Sequence, residues 1–512
     1  MVKKLIKTTL FASLIFLAAC SPKSEYTHAI PKNASVVVSM ELDEMAQKAG
    51  LEGESGESVS RKLKTLMKGG LQGDAARLAE RIIDNPSESG ISFDDKVYLF
   101  ATPHVGAWGL LLKVDNEGKL ESLFEVLEKE ALATPLREES GCRWTQIGGV
   151  LCAFNNGTLL FLQPSKGDAQ GMKGTLLSLM RQRDEDGFSA LPEFDKVEAE
   201  GNDIASVFNL SAVPYEWTTP LRMGLSGDIH LEDIKYFVSG NFKNGRVVVE
   251  TESLIQNPKI AAFFDTMDKV LQPIQGKYLD YYQGNTMVWA SGRIQGQELY
   301  KMLCQNPTVK QVLNNPLLPV DVEGIFSSVE GDFAIGQDNM VTGGNILLYA
   351  DVTNTDFLKT FDDIRPLLAL TGGRITLDCV GQHEYLMRTY YGDFWFGVKN
   401  NRLYATNNRT WAEEVGRTYG GSLSMKPWAR EVRENRLFFT LNMSDLFASL
   451  GKYPNVQWIG SKQMDGMAKL LLSQCDYLTL SMSDCRHGKG ELALKDKNLN
   501  LLQVLAQMIE SF

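Results

Sequence analysis

With 63 acidic side chains, carboxylate pairs are the commonest reactive arrangement this chain offers. Such pairs hydrolyse glycosides, one acid protonating the leaving oxygen while the other attacks or activates water. Asp94-Asp95, Asp362-Asp363 and Glu413-Glu414 are adjacent pairs. Among so many acids, adjacency arises by chance, and the two pairs in helical contexts are expected to face water. His28, His104, His230, His383 and His487 are scattered, without HExxH or HxH spacing, so no metal site is read. His383-Glu384 stands alone beside a strand expected over Tyr385 to Thr389. Gly224-Leu225-Ser226-Gly227 is one residue short of GxSxG and lacks the strand-turn-helix setting that exposes a serine nucleophile. Neither phosphate-cradling glycine motif occurs. Asp115 to Gly118 is too short for an EF-hand loop and reads as a helix start. Trp395 and Trp411 lie near Tyr390 and Tyr391 and could stack on sugars. Yet Phe394-Trp395-Phe396 alternates as a strand, so at least one of its faces is core. No catalytic, cofactor-binding or metal-ligating residue is assigned, no cofactor is expected, and the balance is against an enzyme.

Cys20 is different, because its setting prescribes a reaction. Lys3, Lys4 and Lys7 precede an apolar run from Leu10 to Leu17, and Ala18-Ala19 then lead into Cys20. Charge, apolar run and small residues in that order make a secretory signal. The run is far short of the roughly 20 residues that span a bilayer. Leu17-Ala18-Ala19-Cys20 resembles the lipobox of bacterial lipoproteins. That resemblance implies cleavage before Cys20, lipidation of its thiol and anchoring by two or three acyl chains, each buried CH₂ contributing about 0.8 kcal/mol. Ser21, rather than Asp, follows the cysteine, and no acidic run succeeds it. By resemblance to known sorting rules this favours the outer membrane, facing the periplasm.

Cleavage leaves about 490 of 512 residues, more than one ordinary core holds. No later segment is long and apolar enough to cross a membrane, which leaves the lipid as the expected anchor. At 44% hydrophobic and 22% charged residues, the chain has the composition of a globular protein. Losing Lys3, Lys4 and Lys7 takes the formal charge from −11 to −14. That acidity, without any basic stripe, argues against nucleic acid. Cys142, Cys152, Cys304, Cys379, Cys475 and Cys485 remain after lipidation, enough for three disulfides in an oxidising compartment. Tyr477 to Asp484 reads as one strand, which would hold Cys475 and Cys485 about 33 Å apart. A disulfide needs about 7 Å. Cys142 and Cys152 flank a Gly148-Gly149 turn out of register. Most of the six are expected to be small buried thiols, and without CxxC no redox or zinc-ribbon motif is present.

The elements repeat. A strand at Ser35 to Met40 with a helix at Glu41 to Ala49 matches a strand at Thr286 to Ser291 with a helix at Gly296 to Cys304. Strand, loop and amphipathic helix recur at Gly109 to Lys129 and at Asn345 to Leu368, with Asn116 and Asn354 placed to cap the helices. Hairpins follow at Gly148 to Gln163, around Asn155-Asn156-Gly157, and at Gly392 to Asn408, around Lys399-Asn400-Asn401. Ile204 to Val213 parallels Leu437 to Phe447, and the hairpin Lys235 to Ser253 parallels Tyr477 to Asp496. The matches keep one order, offset by about 233 to about 251 residues, as an internal duplication would. The expected organisation is a signal peptide over 1–19, lipidated cysteine and tether over 20–33, and α+β modules over 34–265 and 275–512. Each module is expected to be a mostly antiparallel sheet with helices on one face. Glu52 to Ser60 and Arg183 to Gly187 are read as charged surface loops, with helices at Arg61 to Lys68 and Asp74 to Ile83.

The stretches HAIPKNASVVVSMELDEMAQKAG (His28 to Gly50) and NPSESGISFDDKVYLF (Asn85 to Phe100) resemble the DUF4836 family of uncharacterised Bacteroidetes lipoproteins. The resemblance implies export and lipid anchoring, and it carries over no catalytic residue. The expected function is non-enzymatic binding or scaffolding in the cell envelope, with an envelope protein or an apolar ligand as partner beside the membrane itself. The alternative is a glycan or peptidoglycan hydrolase using a carboxylate pair.

Overall fold

The computed structural model describes residues 26–51, 54–68, 73–102, 106–165, 169–216, 218, 229–315, 321–340, 343–451 and 462–511. Cys20, the signal segment and Ser226 lie outside them. The fold is α+β, helices combined with extensive antiparallel sheet. It divides into two compact units, Met1–Phe208 with Ile509–Phe512, and Asn209–Met508.

The first unit holds β1 (Val36–Met40), β2 (Val97–Thr102), β3 (Ala107–Lys113), β4 (Arg137–Glu139), β5 (Cys142–Ile147), β6 (Val150–Phe154), β7 (Thr158–Pro164) and β8 (Ile204–Asn209). All pairings are antiparallel, in the order β8-β1-β2-β3-β7-β6-β5-β4. The helix Glu117–Lys129 packs Leu120 and Phe124 onto Phe154 and Leu159. Asn116 caps it, accepting the Lys119 N–H at 3.0 Å. In the β6–β7 turn, Asn155 Oδ1 accepts the N–H groups of Gly157 and Thr158.

Two expectations need correction here. Glu54–Ser60 is not a loop but the start of a helix running Glu54–Lys68, anchored by buried Val59. Polar composition hid that single apolar contact. The tether also ends before residue 33. Tyr26, Ala29 and Ile30 are buried, Tyr26 donating its hydroxyl to the Lys96 carbonyl and Ile30 O accepting from Phe188 N.

The second unit holds β9 (Lys235–Lys243), β10 (Arg246–Leu254), β11 (Leu271–Gln272), β12 (Val288–Gln295), β13 (Val329–Gln337), β14 (Ile346–Val352), β15 (Thr376–Gly381), β16 (Glu384–Thr389), β17 (Gly392–Lys399), β18 (Arg402–Thr406), β19 (Leu437–Asn442), β20 (Cys475–Asp484) and β21 (His487–Leu494). Its order is β9-β10-β21-β20-β19-β12-β13-β14-β18-β17-β16-β15, again antiparallel, with β11 beside β12. From β19 to β15 this repeats, strand for strand, the order of the first unit. The hairpin β9–β10 lies in the second unit because β10 is laddered to β21, centred on Val249 opposite Gly490. Residues 209–265 therefore fall with the second unit rather than with the first module of the sequence reading. In the β17–β18 turn Asn400 and Asn401 both have positive φ, 53° and 57°, which asparagine tolerates better than most residues.

All six described cysteines are free thiols. Cys142, Cys152, Cys475 and Cys485 are buried, Cys304 is half-buried and Cys379 exposed. Cys475 opens β20 and Cys485 follows its far end. Asp268, on the helix Pro258–Val270, gathers the hairpin turn there. It accepts the Cys485 N–H at 3.0 Å and pairs with Arg486 at 3.3 Å. Burial, then the hydrogen bond and negative charge of Asp268, push the Cys485 thiol up to about 12. A raised folded-state value stabilises fully below the ordinary thiol value near 9, and the contribution is lost as pH rises towards 12. We expect wild-type denaturation midpoints to fall more steeply than those of Cys485→Ala across that window. Parallel curves in a denaturant series at stepped pH would refute this.

Candidate functional site: an uncovered apolar sheet face

Side chains alternate across a strand, so the two faces of the second sheet can be assigned from register. One face carries Trp289, Ala334, Leu347, Tyr349 and Phe438, all buried in a core closed by the 3-10 helix Pro427–Glu434 and its neighbours. The opposite face carries Val247, Leu492, Leu478 and Leu441 in one row. The helices Met443–Gly451, Lys462–Gln474 and Leu501–Ser511 cover that row, packing Leu446, Leu471 and Val504 against it. The next row along the strands, Val249, Gly490, Leu480, Phe439, Ala290 and Ile335, is not fully covered. Leu480 is 48% exposed, Ile335 40% and Val249 37%.

Two hollows mark this face. The larger, about 520 Å³, is lined by Val247, Val249, Leu478, Leu480, Leu492 and Leu501, with Gly488 and Gly490 along β21. Its glycines shape it. A β-carbon on Gly490 would sit 3.3 Å from Leu480 Cδ2, and one on Gly488 would sit 2.7 Å from Thr251 Oγ1. Their absence lets both neighbours lean across β21. The second hollow, about 300 Å³, lies between Ala290, Phe333, Leu437, Phe439, Leu480 and Met482. Leu480 borders both. Thr251 supplies a side-chain hydroxyl at the larger hollow.

The other face of β9, β10 and β21 borders a cleft of about 490 Å³ lined by Glu250, Glu252, Glu431, Glu434, His487 and Lys489. Glu250 and Glu252 are two apart on β10, hence on one face of the strand with Cα atoms about 6.6 Å apart. The cleft is open and ion-paired. Lys489 Nζ lies 3.4 Å from Glu431 and 3.3 Å from Glu491, and Glu250 is exposed. General-acid work calls for a carboxyl enclosed in apolar surroundings, and Glu250 is open to solvent.

The acids picked out on sequence are not brought together. Asp95 pairs with Lys113 at 3.0 Å, and Glu413 pairs with Arg409 at 2.8 Å. Asp362 accepts the Tyr385 hydroxyl at 3.1 Å. Glu384 accepts from Tyr404 at 2.8 Å, while His383 stands in the β15–β16 turn with φ 61°. Trp395 and Trp411 pack against the core around Trp289, and Phe396 packs on Phe361, so both faces of that strand are structural. Tyr390 and Tyr391 alone stay exposed. Among the described residues no cluster of histidine, cysteine and carboxylate side chains could hold a metal ion. Sequence reasoning missed the apolar face. The signal was in YLTLSM and GKGEL, where Leu478, Leu480 and Met482 alternate onto one face of a strand and Leu480 and Met482 meet glycines on the next.

A family model described as Domain of unknown function (DUF4836) matches residues 26–502. No curated protein matches. Among solved structures, crystal forms IV, I and III of TP0453 align with 10%, 10% and 11% identity and TM-scores of 0.26, 0.26 and 0.27. They cover 45%, 48% and 49% of this chain and 81%, 88% and 87% of those chains. Likeness at that level carries no argument about this protein. The family match spans nearly the whole chain, both units included, and the chain belongs to the DUF4836 family.

Proposed function

We propose that this is a cell-envelope lipoprotein, anchored through Cys20 in the outer membrane and facing the periplasm, that binds an aliphatic ligand on the uncovered sheet face without turning it over. The observation that carries the reading is the glycine-floored hollow beside Leu480, within the size range of small-molecule sites. A peptide segment laid there would bury N–H and C=O groups against side chains that cannot pair them. An acyl chain has no such groups, and Thr251 offers one hydroxyl for a polar end. The repeated strand order supports an internal duplication.

A fluorescent long-chain fatty acid titrated into the mature protein tests the reading. Saturable binding is expected, and Leu480→Asp weakens it about tenfold to a hundredfold, because a carboxylate beside the chain must be desolvated. Leu480 is half exposed, so the variant folds. Absence of saturable binding by the wild type sinks the proposal. Turnover of envelope glycans by the same preparation would favour the hydrolase reading, with Glu250 and Glu252 as the first residues to replace.

A further inference from the structure

At one end of the β15–β16–β17 meander the second unit exposes a second apolar group, separate from the hollow. Tyr390 and Tyr391 form the β16–β17 turn and are 93% and 91% exposed. Their rings meet edge to face at 5.6 Å. Ile375 enters β15 at the same end, since Thr376 pairs with Arg388 and Thr389 with Gly392. The Thr371 hydroxyl, 2.6 Å from Leu368 O and 3.2 Å from Ile375 O, ties the end of the helix Lys359–Leu368 to that strand. This brings exposed Leu367 and Leu370 (51% and 86%) to the same tip. Leucines and tyrosines on turns so fully in water cost solubility and add nothing to the core.

The charges at the tip run against those of the whole protein. Over 365–376 and 389–392 the charges are Arg365 and Arg374, while the flanking Asp378 and Asp393 face Arg388; the full chain has formal charge −11. Arg365 and Arg374 are exposed. Tyrosines with leucines and flanking arginines are the combination that settles at a membrane interface. The rings sit at headgroup depth, the aliphatic chains reach the acyl boundary, and the guanidiniums pair with phosphate. A protein partner would call for a flat or grooved patch. Two adjoining turns, Leu368 to Thr376 and Thr389 to Gly392, match a yielding surface.

We propose that this tip rests in an anionic lipid surface, giving the protein a second, reversible membrane contact beside any covalent lipid. The test uses the mature chain from Ser21, without lipid, floated with vesicles of phosphatidylglycerol and phosphatidylethanolamine. The wild type is expected to float with them, less so at high salt. Tyr390→Ser/Tyr391→Ser/Leu370→Ser should float about tenfold less, as loss of side chains that bury in the interface requires, with an unchanged thermal midpoint because none of the three is buried. Arg365→Gln/Arg374→Gln should lose the preference for anionic over phosphatidylcholine vesicles. Leu480→Asp, in the hollow, should float like the wild type. A wild type that stays at the bottom, a triple variant that floats undiminished, or flotation that fails in Leu480→Asp instead would overturn the assignment.

Discussion

Replacing Cys20 by alanine is expected to abolish incorporation of labelled fatty acid altogether. The effect is all-or-none because acylation needs a nucleophilic sulfur, and alanine supplies no substitute at reduced efficiency. Its consequence for attachment is nearly as large. Several acyl CH₂ groups at about 0.8 kcal/mol each make a two- or three-chain anchor effectively permanent. Among the described residues no helix is long and apolar enough to take over by crossing the membrane. Cys20→Ala should leave the weak, salt-sensitive attachment proposed for Tyr390, Tyr391 and Leu370. Metabolic labelling followed by membrane fractionation with a salt wash reads both effects. Labelling that persists in Cys20→Ala would place the lipid on another residue.

The second large effect is expected in the core. Trp289 is fully buried, with Trp428 stacked on it at 5.9 Å and Phe438 in turn 5.4 Å from Trp428. Tyr282 meets it edge-on at 6.2 Å. Trp289→Ala removes the centre of this cluster and leaves a cavity between β12 and the helix Pro427–Glu434, which cannot collapse without moving the sheet. The expected cost is about 3–5 kcal/mol. Trp289→Phe should cost far less. It keeps an aromatic ring, and it removes an indole N–H that has no hydrogen-bond partner, a group whose burial is unfavourable. Urea denaturation of both variants, followed by far-UV circular dichroism, separates them. Equal losses would mean that shape rather than volume governs this site, and a loss under about 1 kcal/mol for alanine would show that the cluster is not cooperative.

These two results would bear on different parts of the proposal. The first concerns where the protein is held. The second concerns the rigidity of the sheet whose far side is the candidate ligand face. Trp289 lies beside Ala290 on β12, and Ala290 lines the smaller hollow. Trp289→Ala should therefore weaken ligand binding although Trp289 faces away from the hollows, while Leu480→Asp weakens binding without loosening the core.

What the sequence determined by itself was everything governed by neighbours along the chain. β-branched runs form β1 and β10, Asn116 caps its helix, Asn155 and Asn400-Asn401 turn their hairpins, and the paired elements recur in one order. Each depends on interactions a few residues apart, which local side-chain chemistry specifies. Tertiary structure decided the rest. It set β1 between β2 and β8, and it joined β10 to β21. It buried Tyr26 and Ile30 and drew Glu54–Ser60 into a helix through Val59. It also left Leu480, Val249 and Ile335 uncovered while helices packed over Leu478 and Leu492 on the same face. In β20 the apolar Leu478, Leu480 and Met482 alternate onto one face, so alternation names the apolar face but cannot say how much of it meets helices and how much meets water. That choice depends on burial summed over segments hundreds of residues apart. The candidate site sits at the boundary of the covered area, which no short stretch of sequence can mark.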